Sequence, residues 1–315
     1  MKSQTQQVSK FEDATITGVS KPPPPFSTRT ILSVRNYDLG LTLTSGQTFR
    51  WVRQQGAWEG VVGPHWVRLH VALEGIRAET AVPVTNWDWL AAYLQSRVNL
   101  EAVLKTFPPD APLGAAVAAC RGLRLLRQDP WECLASFLLS STKQIVQIQQ
   151  IIAMLCARYG SPVAVPPGHE PAFAFPCADR LAGCEEAELR ACKMGFRARY
   201  LRAVAQKVTS GEMDLRRLAV LSMDEARSRL MELPGVGRKI ADCVLLFGYG
   251  FQQAFPVDVW VMRALGRLYF RGRRVTGRRR ERFVATHFGP HAGYAQQYLF
   301  HYMRTRGASR PRVAD

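Results

Sequence analysis

The amino-acid sequence predicts an α+β protein in which a small antiparallel β-sheet N-terminal domain packs on a larger all-α domain. A change of hydrophobic period carries that prediction. Between Asn36 and about Glu79 apolar residues alternate with polar ones, the period of a half-buried strand; beyond about residue 110 they recur at helical spacing. A chain of 315 residues can also bury a substantial core and has room for two or three such units. The expected divisions are a mobile polar tail over 1–25, closed by Pro22-Pro23-Pro24-Pro25, a sheet domain with one or two helices over 26–115, and a helical domain over 116–315.

In the sheet region, Leu39, Leu41 and Leu43 predict one strand and Val67, Leu69 and Val71 another, with turns at Gln55-Gly56 and Gly63-Pro64. Thr85-Asn86-Trp87-Asp88 has the form of a capping box opening a helix that runs through Gln95. Asp129-Pro130 supplies an N-cap and a first-turn proline for a helix over 131–140. The next helix, 144–159, repeats apolar residues at Ile145, Ile148, Ile151 or Ile152, and Leu155, and Gly160 ends it. Helices over 185–192 and 198–208 follow, and Ser222-Met223-Asp224-Glu225 caps the one entering a glycine-rich turn. Helices over 259–270, 278–288 and 292–305 close the chain.

Composition narrows the partners. Lys and Arg number 42 against 25 Asp and Glu, a formal charge of +17 that concentrates polyanions; ribosomal and membrane-surface proteins share such a charge. Arg271, Arg273, Arg274, Arg278, Arg279, Arg280 and Arg282 crowd one segment, while Arg263, Arg267 and Arg271 recur every four residues along an expected helix face. A solvated loop is the plain alternative for that cluster. Seven cysteines, an odd number, and a polar N-terminus without a secretory segment argue for an intracellular protein without a disulfide framework. Cys177 and Cys184 share a spacing with some cluster-binding sites, but the next ligand position is Ala187. Zinc spacings are missing too, so no metal and no cofactor is expected. No apolar run reaches the roughly 20 residues that span a membrane.

The most telling segment is Leu233-Pro234-Gly235-Val236-Gly237-Arg238-Lys239, followed by Pro256-Val257-Asp258-Val259. A glycine-cornered hairpin that opens a helix turns backbone N–H groups, and the positive end of the helix dipole, toward a phosphate. Lys239 falls in the first turn, where the helix dipole disfavours a cation and an amine becomes a better nucleophile. Asp258, just after a proline, supplies a carboxylate. Each has a simpler reading: a phosphate contact for Lys239, an N-cap for Asp258.

Further segments stand in order along the chain: Ser45-Gly46-Gln47-Thr48-Phe49-Arg50-Trp51; Leu125-Leu126-Arg127-Gln128-Asp129-Pro130; Glu132-Cys133-Leu134 through Ser140-Ser141; Gly195-Phe196-Arg197-Ala198-Arg199-Tyr200; and Gly293-Tyr294-Ala295-Gln296. With the hairpin through Cys243 and the Asp258 segment, they make a chain that resembles the 8-oxoguanine DNA glycosylases of the helix-hairpin-helix superfamily from about Asn36 to Arg306. The resemblance implies a helix-hairpin-helix glycosylase domain acting on duplex DNA that contains oxidised guanine, in base excision repair; nothing in the sequence suggests an obligate oligomer, so a monomer is expected. Lys239 would attack the anomeric carbon of the damaged nucleotide and Asp258 would stabilise positive charge on the sugar, the Schiff base then permitting β-elimination. The base would be flipped into a pocket where the Gly46 carbonyl reads the proton at N7, Gln296 reads the Watson–Crick edge, and Cys243 and Phe300 sandwich the ring. Taken without the family, Cys243 and Phe300 read as core packing, Gln296 as a surface glutamine and Gly46 as a hairpin glycine.

The resemblance also assigns DNA contacts to the hairpin residues Gly235, Val236, Gly237 and Arg238, an aromatic wedge to Phe196, and a contact with the orphaned cytosine to Arg197. Three positions depart from the family pattern. Thr142 stands where an Asn fills the space of the flipped base, Gln147 replaces a second cytosine-contacting arginine, and Trp260 replaces a phosphate-contacting histidine. Relaxed discrimination for cytosine is the expected result. A glycosylase for another damaged purine, or a non-catalytic helix-hairpin-helix DNA-binding protein, remain as alternatives.

Overall fold

The computed structural model describes residues 27–140, 143–273 and 275–308, without the side chains of 306–308. The expected tail over 1–25 lies outside the described residues, as do Ser141, Thr142 and Arg274. Strands β1 (Ser27–Ser33), β2 (Val52–Gln54), β3 (Ala57–Val62), β4 (His65–Ala72) and β5 (Gly75–Val84) form an antiparallel sheet in the order β1-β5-β4-β3-β2. The turn at Gln55-Gly56 forms as expected, with both residues left-handed at φ 47° and 79°, which matches the twist of a two-residue hairpin. Strand β1 gave no signal in the sequence because it is an edge strand with no fully buried residue.

One expected strand is a helix. Leu39, Leu41 and Leu43 belong to α1 (Leu39–Thr44), which the Asp38 carboxylate caps by accepting from Leu41 N at 2.7 Å. The buried residues are Leu39, Thr42 and Leu43, a helical triplet hidden by the alternation of the three leucines. Thr42 tolerates burial because its hydroxyl donates to the Asp38 carbonyl and accepts from Arg124 N.

The helices that follow are α2 (Asp88–Leu94), α3 (Leu100–Leu104), α4 (Ala111–Ala119), α5 (Pro130–Leu139) and α6 (Ile145–Tyr159). The capping box expected at Thr85 does not form. Asn86 Oδ1 accepts from Asp88 N instead, and Gln95 is a left-handed C-cap rather than a helical residue. A two-stranded ribbon, β6 (Pro162–Val163) and β7 (Ala172–Phe173), precedes α7 (Ala178–Ala182), α8 (Glu186–Leu189) and α9 (Arg197–Thr209). The last five are α10 (Met223–Met231), α11 (Arg238–Val244), α12 (Val259–Ala264), α13 (Gly277–His287) and α14 (Ala292–Ala308). A π-helical turn, Leu265–Tyr269, extends α12, and the helix ends there. Arg271, with φ 49°, therefore lies beyond the face shared by Arg263 and Arg267.

Two hydrophobic cores result. One holds Leu39, Leu43, Trp51, Leu69, Leu90 and Leu94 between the sheet, α1 and α2. The other joins α3 and α4 to the C-terminal helices. The extended segment before α5 serves both, since Leu125 packs in the helical core and Leu126 in the sheet core.

Candidate active site

The hairpin is built by two helices and the glycines between them. Ser222 and Glu225 close a capping box at the start of α10, each accepting from the other's backbone N–H. Leu233 and Val236 are buried, and Val236 N donates to Leu233 O at 3.0 Å to tighten the turn. Gly235 takes φ 79°, and a Cβ there would lie 2.8 Å from the Tyr200 ring. Gly237 is the N-cap of α11, and Gly235, Gly237 and Arg238 are exposed, so the first N–H groups of the helix open at the surface. Behind the turn, buried Asp242 accepts from Arg227 Nε at 2.7 Å, fastening α10 to α11. Burial raises the Asp242 carboxyl above its ordinary range, and the paired Arg227 pulls it back.

Lys239 is partly buried in the first turn of α11, as expected. Its amine donates to Ser140 Oγ at 3.0 Å and stands 5.2 Å from the centre of the Phe137 ring. Asp258 is the N-cap of α12, with Oδ1 accepting from Trp260 N at 2.9 Å and Val261 N at 2.8 Å. The same carboxylate is close enough to Lys239 for the two charges to interact. Burial holds its pKa above the usual aspartate range, against the backbone N–H of Val261 and the charge of Lys239. The capping role and the catalytic role are thus compatible in one side chain. A cavity of about 580 Å³ opens beside Lys239 between α10, α11 and α13, but Gly46, Gln296 and Phe300 do not line it.

The residues assigned to the base come from opposite ends of the chain. Gly46 follows α1 at φ 78°, and a Cβ there would stand 3.1 Å from Ile145 and 3.3 Å from the Phe300 ring. It is not a β-hairpin glycine. Its neighbours are pinned: Gln297 Nε2 donates to Ser45 O at 2.9 Å, and the buried Gln47 amide donates to Thr42 O and Arg124 O while accepting from Leu126 N. Gln296 and Phe300 share a face of α14 at i and i+4. Gln296 is 4% exposed, which excludes a surface glutamine, and its buried Oε1 has no hydrogen-bond partner among the described residues. Cys243 is buried four residues after Lys239, its thiol pushed up to about 12 by burial. Cys133 Sγ touches the Cys243 carbonyl, so core packing also describes this residue.

Left-handed Lys193 and Gly195, with φ 63° and 61°, end one helix sharply and present Phe196 at the surface, half exposed. The guanidinium of buried Arg197 lies 4.5 Å over the Phe196 ring. Gln147 is exposed, and its Oε1 accepts from Gln144 N as part of the α6 capping box. Trp260 is partly buried beneath the Arg263 guanidinium at 4.9 Å. Thr142 lies outside the described residues. Among the described residues, no group of three or more His, Cys, Asp or Glu is placed to hold a metal, and no helix is long and apolar enough to cross a membrane.

Sequence reasoning gave no role to two residues. Ser140 was visible only as part of a motif. Arg304, four residues after Phe300 on α14, lies over the Phe300 ring at 5.4 Å and donates to Thr44 O at 2.7 Å. Its spacing from Phe300 was the available signal.

Residues 29–134 match the family profile of the 8-oxoguanine DNA glycosylase N-terminal domain, and residues 135–287 match that of the HhH-GPD superfamily of base excision DNA repair proteins. A probable N-glycosylase/DNA lyase of Methanothermobacter thermautotrophicus is 32% identical over 88% of this chain and 96% of its own length. An N-glycosylase/DNA lyase of Arabidopsis thaliana is 33% identical over 83% of this chain and 76% of its own. The 8-oxoguanine glycosylase/lyase of Clostridium acetobutylicum, solved with duplex DNA carrying cytosine opposite 8-oxoguanine, superposes with a TM-score of 0.81 at 28% identity, covering 90% of this chain and 100% of that one. The hairpin, the lysine at its end and the matched span agree: this chain belongs to the 8-oxoguanine DNA glycosylase family of the helix-hairpin-helix superfamily.

Proposed function

We propose that the protein is a bifunctional DNA glycosylase and AP lyase that removes 8-oxoguanine from duplex DNA in base excision repair, inside the cell. The observation that carries this reading is the Lys239 amine held at 3.0 Å by the Ser140 hydroxyl in the first turn of the helix that the hairpin opens, with the Asp258 carboxylate within electrostatic reach of it. With the base flipped out, the neutral Lys239 amine attacks C1′. The N-glycosidic bond breaks, and its electrons leave with the base, which takes up a proton. Asp258 stabilises the positive charge that develops on the sugar. Opening of the ring gives a Schiff base at C1′, and loss of a C2′ proton then expels the 3′ phosphate. Gln296 Oε1, buried and unpartnered among the described residues, is an acceptor that awaits a donor such as the Watson–Crick edge of a guanine, and Gly46 against Phe300 supports one wall of the base pocket. No cofactor enters this scheme.

Borohydride trapping on an 8-oxoguanine duplex tests it. Wild type should form a covalent adduct and cut the strand, whereas Lys239→Gln should do neither. Binding without trapping would leave a non-catalytic hairpin protein. Trapping on another damaged purine but not on 8-oxoguanine would move the substrate within the superfamily.

A further inference from the structure

We propose that the arginine ridge formed by α12, α13 and the turn between them is a second duplex-gripping surface, separate from the hairpin, that holds the DNA flanking the lesion. This rests on the reading above only in taking duplex DNA as the partner. Nine arginines and one glutamate lie between Val259 and Arg282, which is close to half of the chain's net charge of +17. Arg263, Arg267, Arg271, Arg273, Arg278, Arg279 and Arg282 are exposed, and α13 has no fully buried residue. Such a concentration of like charge repels itself, and among the described residues no carboxylate pairs with any of these seven.

The contacts that do form lock the ridge to the catalytic pair. Glu281, the one acid in the segment, pairs at 3.2 Å with Arg238, the residue before Lys239. Arg280 Nη1 donates to Met262 Sδ at 3.1 Å, joining α13 to α12, the helix that Asp258 opens. The ridge therefore keeps a fixed register to both Lys239 and Asp258. At 11 residues α13 is about 16 Å long, the rise of about five base pairs. A duplex whose damaged sugar sits at Lys239 would thus run its phosphates along exposed guanidinium groups, each able to displace a condensed counterion.

The test measures affinity against salt for an undamaged duplex of roughly two helical turns, using the full chain and the triple variant R278Q/R279Q/R282Q. Because none of the three is buried, its melting midpoint should stay near that of wild type. The expected result is a slope of log affinity against log salt shallower by about two to three, one counterion for each lost contact. A slope equal to that of a salt-sensitive wild type overturns the proposal and places the ridge against solvent or an acidic protein. A wild type that binds duplex no more weakly in high salt than in low salt overturns the DNA reading itself.

Discussion

The Lys239 amine and the Ser140 hydroxyl meet at 3.0 Å, so the C-terminal end of α5 sets the position of the residue at the hairpin. Ser140→Ala should slow single-turnover base removal by about three- to tenfold, the equivalent of one hydrogen bond at 0.5–1.5 kcal/mol. Borohydride trapping should persist in that variant and vanish in Lys239→Gln. Equal losses in both would make Ser140 part of the chemistry rather than a support for it.

The raised pKa of Asp258 has a sign that rate measurements can read. Burial disfavours its carboxylate, and the ionised form is the one that stabilises positive charge on the sugar. Excision should therefore show an acid limb, falling as pH drops through a value above the ordinary aspartate range. In Asp258→Asn the limb should disappear, with the rate lower by about a hundredfold or more. Loss of the Trp260 and Val261 capping bonds should be small in comparison, because the amide oxygen still accepts.

Arg304 braces the Phe300 ring and the backbone at Thr44, two residues from Gly46. Arg304→Met should reduce 8-oxoguanine excision by about tenfold, the cost of one charge-assisted hydrogen bond. Strand cleavage at a preformed abasic site, which has no base to hold, should remain near the wild-type rate. A parallel fall in both activities would show that Arg304 supports the fold at large.

The side chain at position 147 is spent on capping α6, not on reaching outward. Excision opposite cytosine and opposite the other three bases should accordingly differ little in wild type. Gln147→Arg should raise the preference for cytosine by about tenfold, the lower end of 1–3 kcal/mol for a bidentate base contact. A wild type already strict for cytosine would show that Arg197 suffices.

What could be read from the sequence was what neighbouring residues decide. Gly237 and Asp258 are caps, so the helices they open, and hence the placement of Lys239, follow from a few adjacent positions. The strand expected at Leu39 failed because its period-two leucines concealed a helical burial set, in which the Asp38 carbonyl and the distant Arg124 backbone together make burial tolerable for Thr42. The Thr85 capping box failed because the Asn86 side chain competed for the same backbone donor. The meeting of Gly46 with Phe300 had no local cause at all. It depends on Gln297 and Gln47 binding the loop from distant segments, and no spacing rule connects residues so far apart.

Gly235 offers a stability test of the hairpin. Gly235→Ala places an L side chain at φ 79° and a methyl 2.8 Å from the Tyr200 ring. The left-handed backbone alone costs about 1–2 kcal/mol, so the midpoint of urea unfolding should fall without a change in slope. Affinity for undamaged duplex should weaken with it, since the turn presents the α11 N–H groups.

Leu125 and Leu126 are adjacent, yet one is embedded in the helical core and the other in the sheet core. A single peptide bond therefore transmits the melting of either half to the other. Heating should show one sharp calorimetric transition in which sheet and helix signals vanish together, and proteolysis should find no long-lived fragment cut between the cores. The packing of Gly46 against Phe300 would then be lost only when the whole molecule unfolds.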